Sequence, residues 1–130
     1  MLNNKGQSLI LFVLFIPMLL LIIVLVVDIG KALSLKSELD SINNIVLDYG
    51  LDNLGTEDLV KKLGDLVRLN KSDIDSIDIN IEDNKIYIKL EDSNEELFLG
   101  LVDISLISIK SSYVGYTLND EKRIERIVGD

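Results

Sequence analysis

Residues 5–31, KGQSLILFVLFIPMLLLIIVLVVDIGK, decide the fold. Every side chain in residues 9–27 is apolar, and a helix of about 19 residues matches the ~30 Å hydrocarbon core of a bilayer. A cleaved secretory signal has a shorter apolar region of about 7–15 residues followed by small residues, whereas this run ends in VVDIGK. A soluble domain of this size could hardly bury a helix that is apolar on all faces. We therefore predict a retained transmembrane helix over residues 7–30.

The flanks of the apolar run predict its orientation. Lys5 and the amino terminus precede the run, and no comparable excess of Lys and Arg over acidic residues follows it. Residues 1–6 are therefore expected in the cytoplasm and residues 31–130 outside it, in a single-pass protein of the cell membrane. Residues 1–31 carry about +1 and the whole chain −9, so the remainder carries about −10. This acidity argues against nucleic acid or an anionic membrane surface as a partner of the external part, while the apolar run makes the lipid bilayer an expected partner.

Two helices are predicted after the membrane segment. Residues 31–49 carry apolar side chains at three- and four-residue spacing, which indicates an amphipathic helix that continues from the membrane. The stripe consists of Leu35, Leu39, Ile42, Val46 and Tyr49. Gly50 is predicted to stop this helix, and Thr56 to cap a second one. The second helix places Leu59, Leu63, Leu66 and Val67 on one face.

The clearest strand signal is residues 77–90, IDINIEDNKIYIKL. A two-residue turn at Asp83 and Asn84 predicts a β-hairpin with six aliphatic side chains on one face. Its pairs are Ile81 with Ile86, Ile79 with Ile88, and Ile77 with Leu90 on that face, and Glu82 with Lys85, Asn80 with Tyr87, and Asp78 with Lys89 on the other. A register slip by one residue would move the isoleucines to the wet face.

The rest of the chain is less regular. One helical turn is expected within residues 97–102, a bulge or doubly covered strand within 104–109, and a strand over 111–118. A frayed helix capped at Asp120 is expected to close the chain. The predicted fold class is α+β: an N-terminal transmembrane helix that continues into an amphipathic stalk helix, with a small antiparallel β-sheet head domain of at least three strands.

Residues typical of catalytic centres are scarce. The chain has no His and no Cys, so the common nucleophile–base pairs, zinc sites and thiol centres cannot form. Asp73, Asp75 and Asp78 faintly resemble a calcium loop, but Asp78 and Asn84 stand where an EF-hand needs glycine and glutamate. We expect no enzyme, no cofactor and no metal.

A family resemblance lies in the first third of the chain. A short basic head ending in Gly6, an apolar helix with Phe12 and Pro17, and an exit DIGK that contains Asp28 and Gly30 occur together. This combination resembles the TadE/TadG-like proteins of tight-adherence (Flp) pilus systems and, more broadly, the type IV pilin superfamily. Pro17 is expected to kink the helix mildly, because transmembrane helices tolerate proline.

The resemblance implies how the protein is processed and what it joins. A prepilin peptidase would cut between Gly6 and Gln7, and the helix would associate with pilin-like or pilus-assembly subunits. Family members carry a glutamate at the fifth mature position, where this chain has Leu11. Leu11 removes both the cost of a buried carboxylate and its charge partner. The resemblance thus implies a minor pilin or an accessory component rather than a bulk filament subunit.

Alternative explanations of the same residues remain open. An ordinary signal anchor would carry Lys5 and Gly6 by coincidence, and its head would be a binding or sensing module unrelated to pili. Asp28 is either a functional intramembrane acid or a helix terminus at the membrane interface, and its place at the end of the apolar run favours the interface. Genes for an assembly ATPase, a platform protein and a prepilin peptidase nearby would favour the pilus role.

Overall fold

The computed structural model describes residues 4–93 and 108–128. In chain order the elements are α1 (Asn4–Asp52), α2 (Leu59–Asn70), β1 (Ser76–Glu82), β2 (Lys85–Ser93), β3 (Ser108–Leu118) and β4 (Glu121–Arg126). The four strands form one antiparallel sheet in the order β1-β2-β3-β4. The described chain is therefore an α+β protein with a long N-terminal helix, as predicted.

Helix α1 joins the apolar run to the amphipathic stripe without a break. It has 49 residues, which corresponds to a length of roughly 70 Å. Pro17 lies inside it and does not end it, although the missing N–H removes one helical hydrogen bond. The prediction that the apolar helix continues into the stalk is confirmed. We call residues 35–93 and 108–128 the head.

The core of the head lies between α1, α2 and one face of the sheet. Its buried aliphatic side chains from α1 are Leu35, Leu39, Ile42, Val46, Leu47 and Leu51. Four of the five stripe residues are thus buried as predicted. The predicted burial of Tyr49 is wrong, since its side chain is 41% exposed. The buried face of α1 centres on Val46 and Gly50, and Tyr49 lies at the margin of that face.

Gly50 has a different role from the predicted helix stop. The helix continues past it to Asp52. A Cβ atom at Gly50 would lie 2.8 Å from Cδ1 of Ile86 and 3.2 Å from Cδ2 of Leu63. Glycine is therefore present because α1, α2 and β2 approach closely there, and not because the helix must end.

Helix α2 begins later than predicted. Its N-cap is Asp58, which has a positive φ of 57° and makes no side-chain capping hydrogen bond. The predicted cap at Thr56 is therefore wrong, since the left-handed residue redirects the chain after that position. The predicted apolar face is confirmed, because Leu59, Leu63 and Val67 are buried and Leu66 packs against them half-buried.

The register of the β1–β2 hairpin agrees with the prediction at every pair. Asp83 and Asn84 have φ values of 51° and 63°, as a two-residue type I′ turn requires. The two opposite-charge positions, Glu82 with Lys85 and Asp78 with Lys89, therefore face each other as predicted, but no salt bridge among the described residues joins β1 to β2. Lys85 instead lies over the ring of Tyr116, 5.3 Å from its centroid.

The end of the chain corrects one prediction. The strand predicted over 111–118 is confirmed within β3. The helix predicted at Asp120 is wrong, because Asn119 and Asp120 have φ values of 53° and 64° and form a second two-residue turn that leads into β4. The predictions for 97–102 and for most of 104–109 lie outside the described residues.

Candidate membrane-spanning helix and its attachment to the head

The N-terminal half of α1 exposes a continuous apolar surface. From Leu9 to Val27 its large side chains are exposed, apart from Val24, which is half-buried. An 18-residue window has a mean hydropathy of 3.5, and none of it is buried. A water-soluble monomer rarely exposes so large an apolar area. By length and composition this helix is a candidate membrane span or signal anchor.

The predicted processing and assembly residues all lie on α1. Gly6 is half-buried and Gln7 is exposed, and the helix already includes both, since it begins at Asn4. Leu11 and Phe12 are 63% and 62% exposed. Leu11 therefore presents an aliphatic side chain, where the pilin pattern has a carboxylate, to whatever surrounds the helix.

Asp28 differs from its neighbours on α1. It is only 2% exposed, whereas Val27 is 39% and Ile29 is 58% exposed. Because it precedes Leu35 by two helical turns, it lies on the face of α1 that turns toward the head. A helix terminus at Asp28 is wrong, since α1 continues to Asp52, whereas the position of Asp28 at the membrane interface stays a prediction. A Cβ at nearby Gly30 would meet no atom within 4 Å among the described residues.

A buried polar contact fastens α1 to β3. Asn43 is fully buried, and its Nδ2 donates to the carbonyl oxygen of Ser111 at 3.0 Å and to the Ser111 Oγ at 2.8 Å. Ser111 Oγ donates in turn to Oδ1 of Asp40 at 2.6 Å. These bonds fix α1 against β3 both in translation and in rotation, because each uses a directional donor. We call Asp40, Asn43 and Ser111 the polar clamp.

Two cations extend the polar clamp toward the sheet. Arg126 of β4 donates to Oδ2 of Asp40 at 2.8 Å, and Lys36 lies 3.6 Å from Oδ1 of the same carboxylate. Lys36 also donates to the carbonyl oxygen of Lys110. The hydrogen bond to Tyr113, together with the attraction of Asp40, raises the pKa of Arg126 above its ordinary value. Asp40 thus connects α1 with both β3 and β4.

A second ionic contact joins three elements at the end of the head nearer the apolar run. The Lys71 ammonium lies 3.3 Å from Asp92, 3.8 Å from Glu38 and 3.7 Å from Asp73. Burial lowers the pKa of Lys71, but the hydrogen bond to Asp92 and the attraction of all three carboxylates outweigh it and raise that pKa above 10.5. The Asp92 side chain is only 6% exposed, so Lys71 compensates a carboxylate that water hardly reaches.

The opposite end of α1 is held by Lys122 of β4. Its ammonium lies 2.6 Å from Asp52 and 2.9 Å from Asp48. The hydrogen bonds to Asp52 and Asp48 raise the pKa of Lys122. All three side chains are substantially exposed, so this ionic contact stabilises the attachment of α1 less than the polar clamp does.

The groups that attach α1 to the head have little signal in the sequence. Asn43 follows Ile42 in the core-facing stripe. A polar residue at a core-facing position indicates a buried hydrogen bond, and this is the one sign of the polar clamp in the sequence. The partners of Lys71 and Arg126 come from distant parts of the chain, and no local spacing indicates them. In residues 4–93 and 108–128 no three acidic side chains come close enough together to bind a metal ion, and this holds for Asp73, Asp75 and Asp78.

Comparison with known proteins adds no family to this description. No family model, no curated protein and no solved structure matches the chain. Within residues 4–93 and 108–128, the fold and the exposed helix define an α+β protein with one candidate N-terminal membrane span.

Proposed function

We propose that this chain is a single-pass membrane protein that serves as a minor pilin-like or accessory subunit of a pilus or secretion apparatus. Its amino terminus lies in the cytoplasm, its head lies outside, and a prepilin peptidase cuts between Gly6 and Gln7. Its partners are the lipid bilayer and other pilin-like or assembly subunits. Its role is structural and non-catalytic, and it involves neither a cofactor nor nucleic acid.

One observation carries this proposal: a single helix is fully exposed and apolar in one half and fastened to a folded head in the other. Residues 8–27 would span about 30 Å, the thickness of the hydrocarbon core. Leu35, the first residue of α1 in the hydrophobic core of the head, would then lie about 12 Å beyond the hydrocarbon. That distance exceeds the headgroup layer of roughly 5–8 Å, so the described core of the head would lie beyond the lipid, whereas Asp28, which is 2% exposed, would lie at the membrane boundary.

The attachment of α1 to the head supports an assembly role. Three separate contacts hold the stalk part of α1: the polar clamp, the Lys71 cluster and the Lys122 pair. They place the head in a fixed orientation about the helix axis. A subunit that packs by its helix needs such a fixed orientation, because each head must fit beside its neighbours.

Leu11 limits the proposal to a minor or accessory role. A filament subunit of the pilin type uses a carboxylate at this position to meet the amine of its neighbour, and Leu11 is 63% exposed and aliphatic. The same residue favours a second candidate, a plain signal-anchored module with no place in a pilus. The two functions differ in what happens at the Gly6–Gln7 bond.

The test is the intact mass and amino-terminal sequence of the protein purified from its own membranes, with and without an active prepilin peptidase. We expect a chain that begins at Gln7 only when the peptidase is active. A Gly6→Val variant should remain uncut, because a branched side chain fills the position where the pilin pattern has glycine. Asn4→Val is the matched control and should be cut normally. A wild-type chain that keeps residues 1–6 beside an active peptidase refutes the pilus role and leaves the signal anchor.

A further inference from the structure

We propose that the free edge of β1 docks an extended segment of a partner protein in which aliphatic residues alternate with Lys or Arg. β1 lies at one end of the sheet and, among the described residues, pairs with β2 alone. An unpaired edge presents a row of backbone donors and acceptors, and native proteins protect it with charged side chains, above all Lys, with proline, with a bulge, or with a covering helix or loop. β1, SIDINIE, has neither a cation nor a proline, and its pairing with β2 runs without a bulge.

The hairpin geometry defines which backbone groups are available. A two-residue turn at Asp83 and Asn84 is closed by the pair Glu82 and Lys85, which exchange both backbone hydrogen bonds. Every second residue of β1 counted from Glu82 therefore bonds to β2. The residues whose N–H and C=O groups point away from the sheet are Ile77, Ile79 and Ile81.

The second hairpin supports this counting rule. Counted from the turn at Asn119 and Asp120, every second pair is hydrogen-bonded, and the rule predicts such a pair between Ser112 and Ile127, the residue just beyond β4. The amide of Ile127 does donate to the carbonyl oxygen of Ser112, at 2.8 Å. The same alternation therefore applies to both edges of this sheet.

The core side of the β1 edge is apolar and incompletely covered. Ile77, Ile79 and Ile81 are half-buried, whereas their partners on β2 are buried to 1% exposure or less. Those partners are Leu90, Ile88 and Ile86. An added strand would place its aliphatic side chains beside the three isoleucines and extend the core by one row.

The outer side of the same edge carries two carboxylates, Asp78 and Glu82, which lie opposite Lys89 and Lys85 of β2. Asp78 and Glu82 are exposed, and no salt bridge among the described residues includes either carboxylate. The other edge strand, β4, is protected differently. Its Lys122 and Arg126 bind carboxylates of α1, and charged side chains of both signs cover it. Only the β1 edge combines free acids with free backbone groups in the described part of the chain.

The carboxylates and the free backbone groups of the β1 edge together determine which kind of segment can bind there. A strand added to β1 places every second side chain beside Asp78 and Glu82, where Lys or Arg gains an opposite charge and Asp or Glu meets a like one. A second copy of β1 is a poor occupant for the same reason, because it would set these acids against each other. The proposal concerns the head alone and does not depend on the cut after Gly6.

The test uses the full chain in nonionic detergent micelles with three blocked peptides as probes. One peptide alternates valine with lysine, one alternates valine with glutamate, and one is the lysine peptide with N-methyl groups that remove its backbone donors. We expect the lysine peptide alone to slow amide hydrogen exchange at Ile77, Ile79 and Ile81 by about tenfold or more, with no change at Ile124 of β4. Equal slowing by the methylated peptide, slowing at Ile124, or no slowing at β1 overturns the proposal, as does self-association through β1.

Charge reversal at the edge provides the second arm. The double variant Asp78→Lys and Glu82→Lys should weaken binding of the lysine peptide by about tenfold, because two cross-strand charge pairs are lost. Both side chains are exposed, and the lysines that the new residues would face, Lys89 and Lys85, also lie on the outer face of the hairpin, so the head should keep its fold. Glu57→Lys with Asp65→Lys makes the same charge change at exposed positions just before and within α2 and should leave binding within about twofold. Equal weakening in both variants would refute a specific edge site and indicate general attraction to an acidic protein.

Discussion

Replacing Asn43 by Ala tests whether the polar clamp holds the head to α1. The substitution removes two hydrogen bonds of 3.0 Å and 2.8 Å to Ser111, each with a net contribution of about 1 kcal/mol. It leaves the Ser111 carbonyl with one partner fewer in a fully buried site, which adds roughly 1 kcal/mol. Asn43 Oδ1 has no partner among the described residues, so its removal returns part of that loss. The expected destabilisation is about 2 kcal/mol.

Asn44→Ala is the matched control for this prediction. Asn44 neighbours Asn43 on the same helix but is exposed, and its Nδ2 donates only to the carbonyl oxygen of Asp40 within α1. Both substitutions change helix propensity equally, so the difference between them isolates the contacts of Asn43 with β3. We expect Asn44→Ala to change the free energy of unfolding by less than about 0.5 kcal/mol.

Tyrosine fluorescence during urea unfolding in detergent micelles measures this difference. The chain has four tyrosines and no tryptophan, and all four lie in the head, so the apolar run contributes no signal. With a slope of about 1–3 kcal/mol per M, Asn43→Ala should lower the urea midpoint by about 1 M relative to Asn44→Ala. If the two variants unfold within about 0.5 kcal/mol of each other, the clamp does not hold the head to α1.

Two further predictions concern the other contacts of the head. Lys71→Met should destabilise the head by about 3 kcal/mol because it leaves the buried Asp92 without its cation. Since the pKa of Lys71 is raised in the folded state, the stabilisation that its charge provides is complete below about pH 10.5 and is lost as pH rises through the folded-state pKa. Urea midpoints measured from neutral to alkaline pH should therefore fall for the wild type and not for the variant. Gly50→Ala should destabilise by about 1–3 kcal/mol, since its Cβ would meet Ile86 at 2.8 Å,. Gly64→Ala in α2, where a Cβ meets no atom within 4 Å, should instead stabilise by about 0.5–1 kcal/mol, and equal effects of the two glycine variants would contradict the close approach at Gly50.

Local patterns predicted the elements whose stability is itself local. The alternation of isoleucines on both sides of Asp83 and Asn84 leaves one register that buries them all, and the observed pairing is that register. The continuity of α1 likewise follows from the sequence, because no proline lies between the end of the apolar run at Val27 and the start of the apolar stripe at Leu35. Pro17 was correctly expected to be tolerated inside the helix.

Elements that depend on distant partners were missed. The core-facing positions of β4 carry Lys122, Ile124 and Arg126, so its strand alternation does not appear as an apolar pattern. Those cations become compatible with the inner face only because α1 supplies the carboxylates of Asp40 and Asp48, among others. The turn at Asn119 and Asp120 is the local sign of the hairpin, but Asp120 before a short run of apolar residues at helical spacing equally suits a helix cap.

The central claim is that α1 crosses the membrane with the head outside the cytoplasm. The chain has no cysteine, so a single Thr56→Cys substitution, at an exposed position between α1 and α2, gives one defined thiol in the head. The account predicts that a membrane-impermeant maleimide labels this thiol in intact cells, and that the labelled chain stays with the membrane fraction after carbonate extraction. Labelling only after permeabilisation, or recovery of the chain in the soluble fraction, would contradict the account.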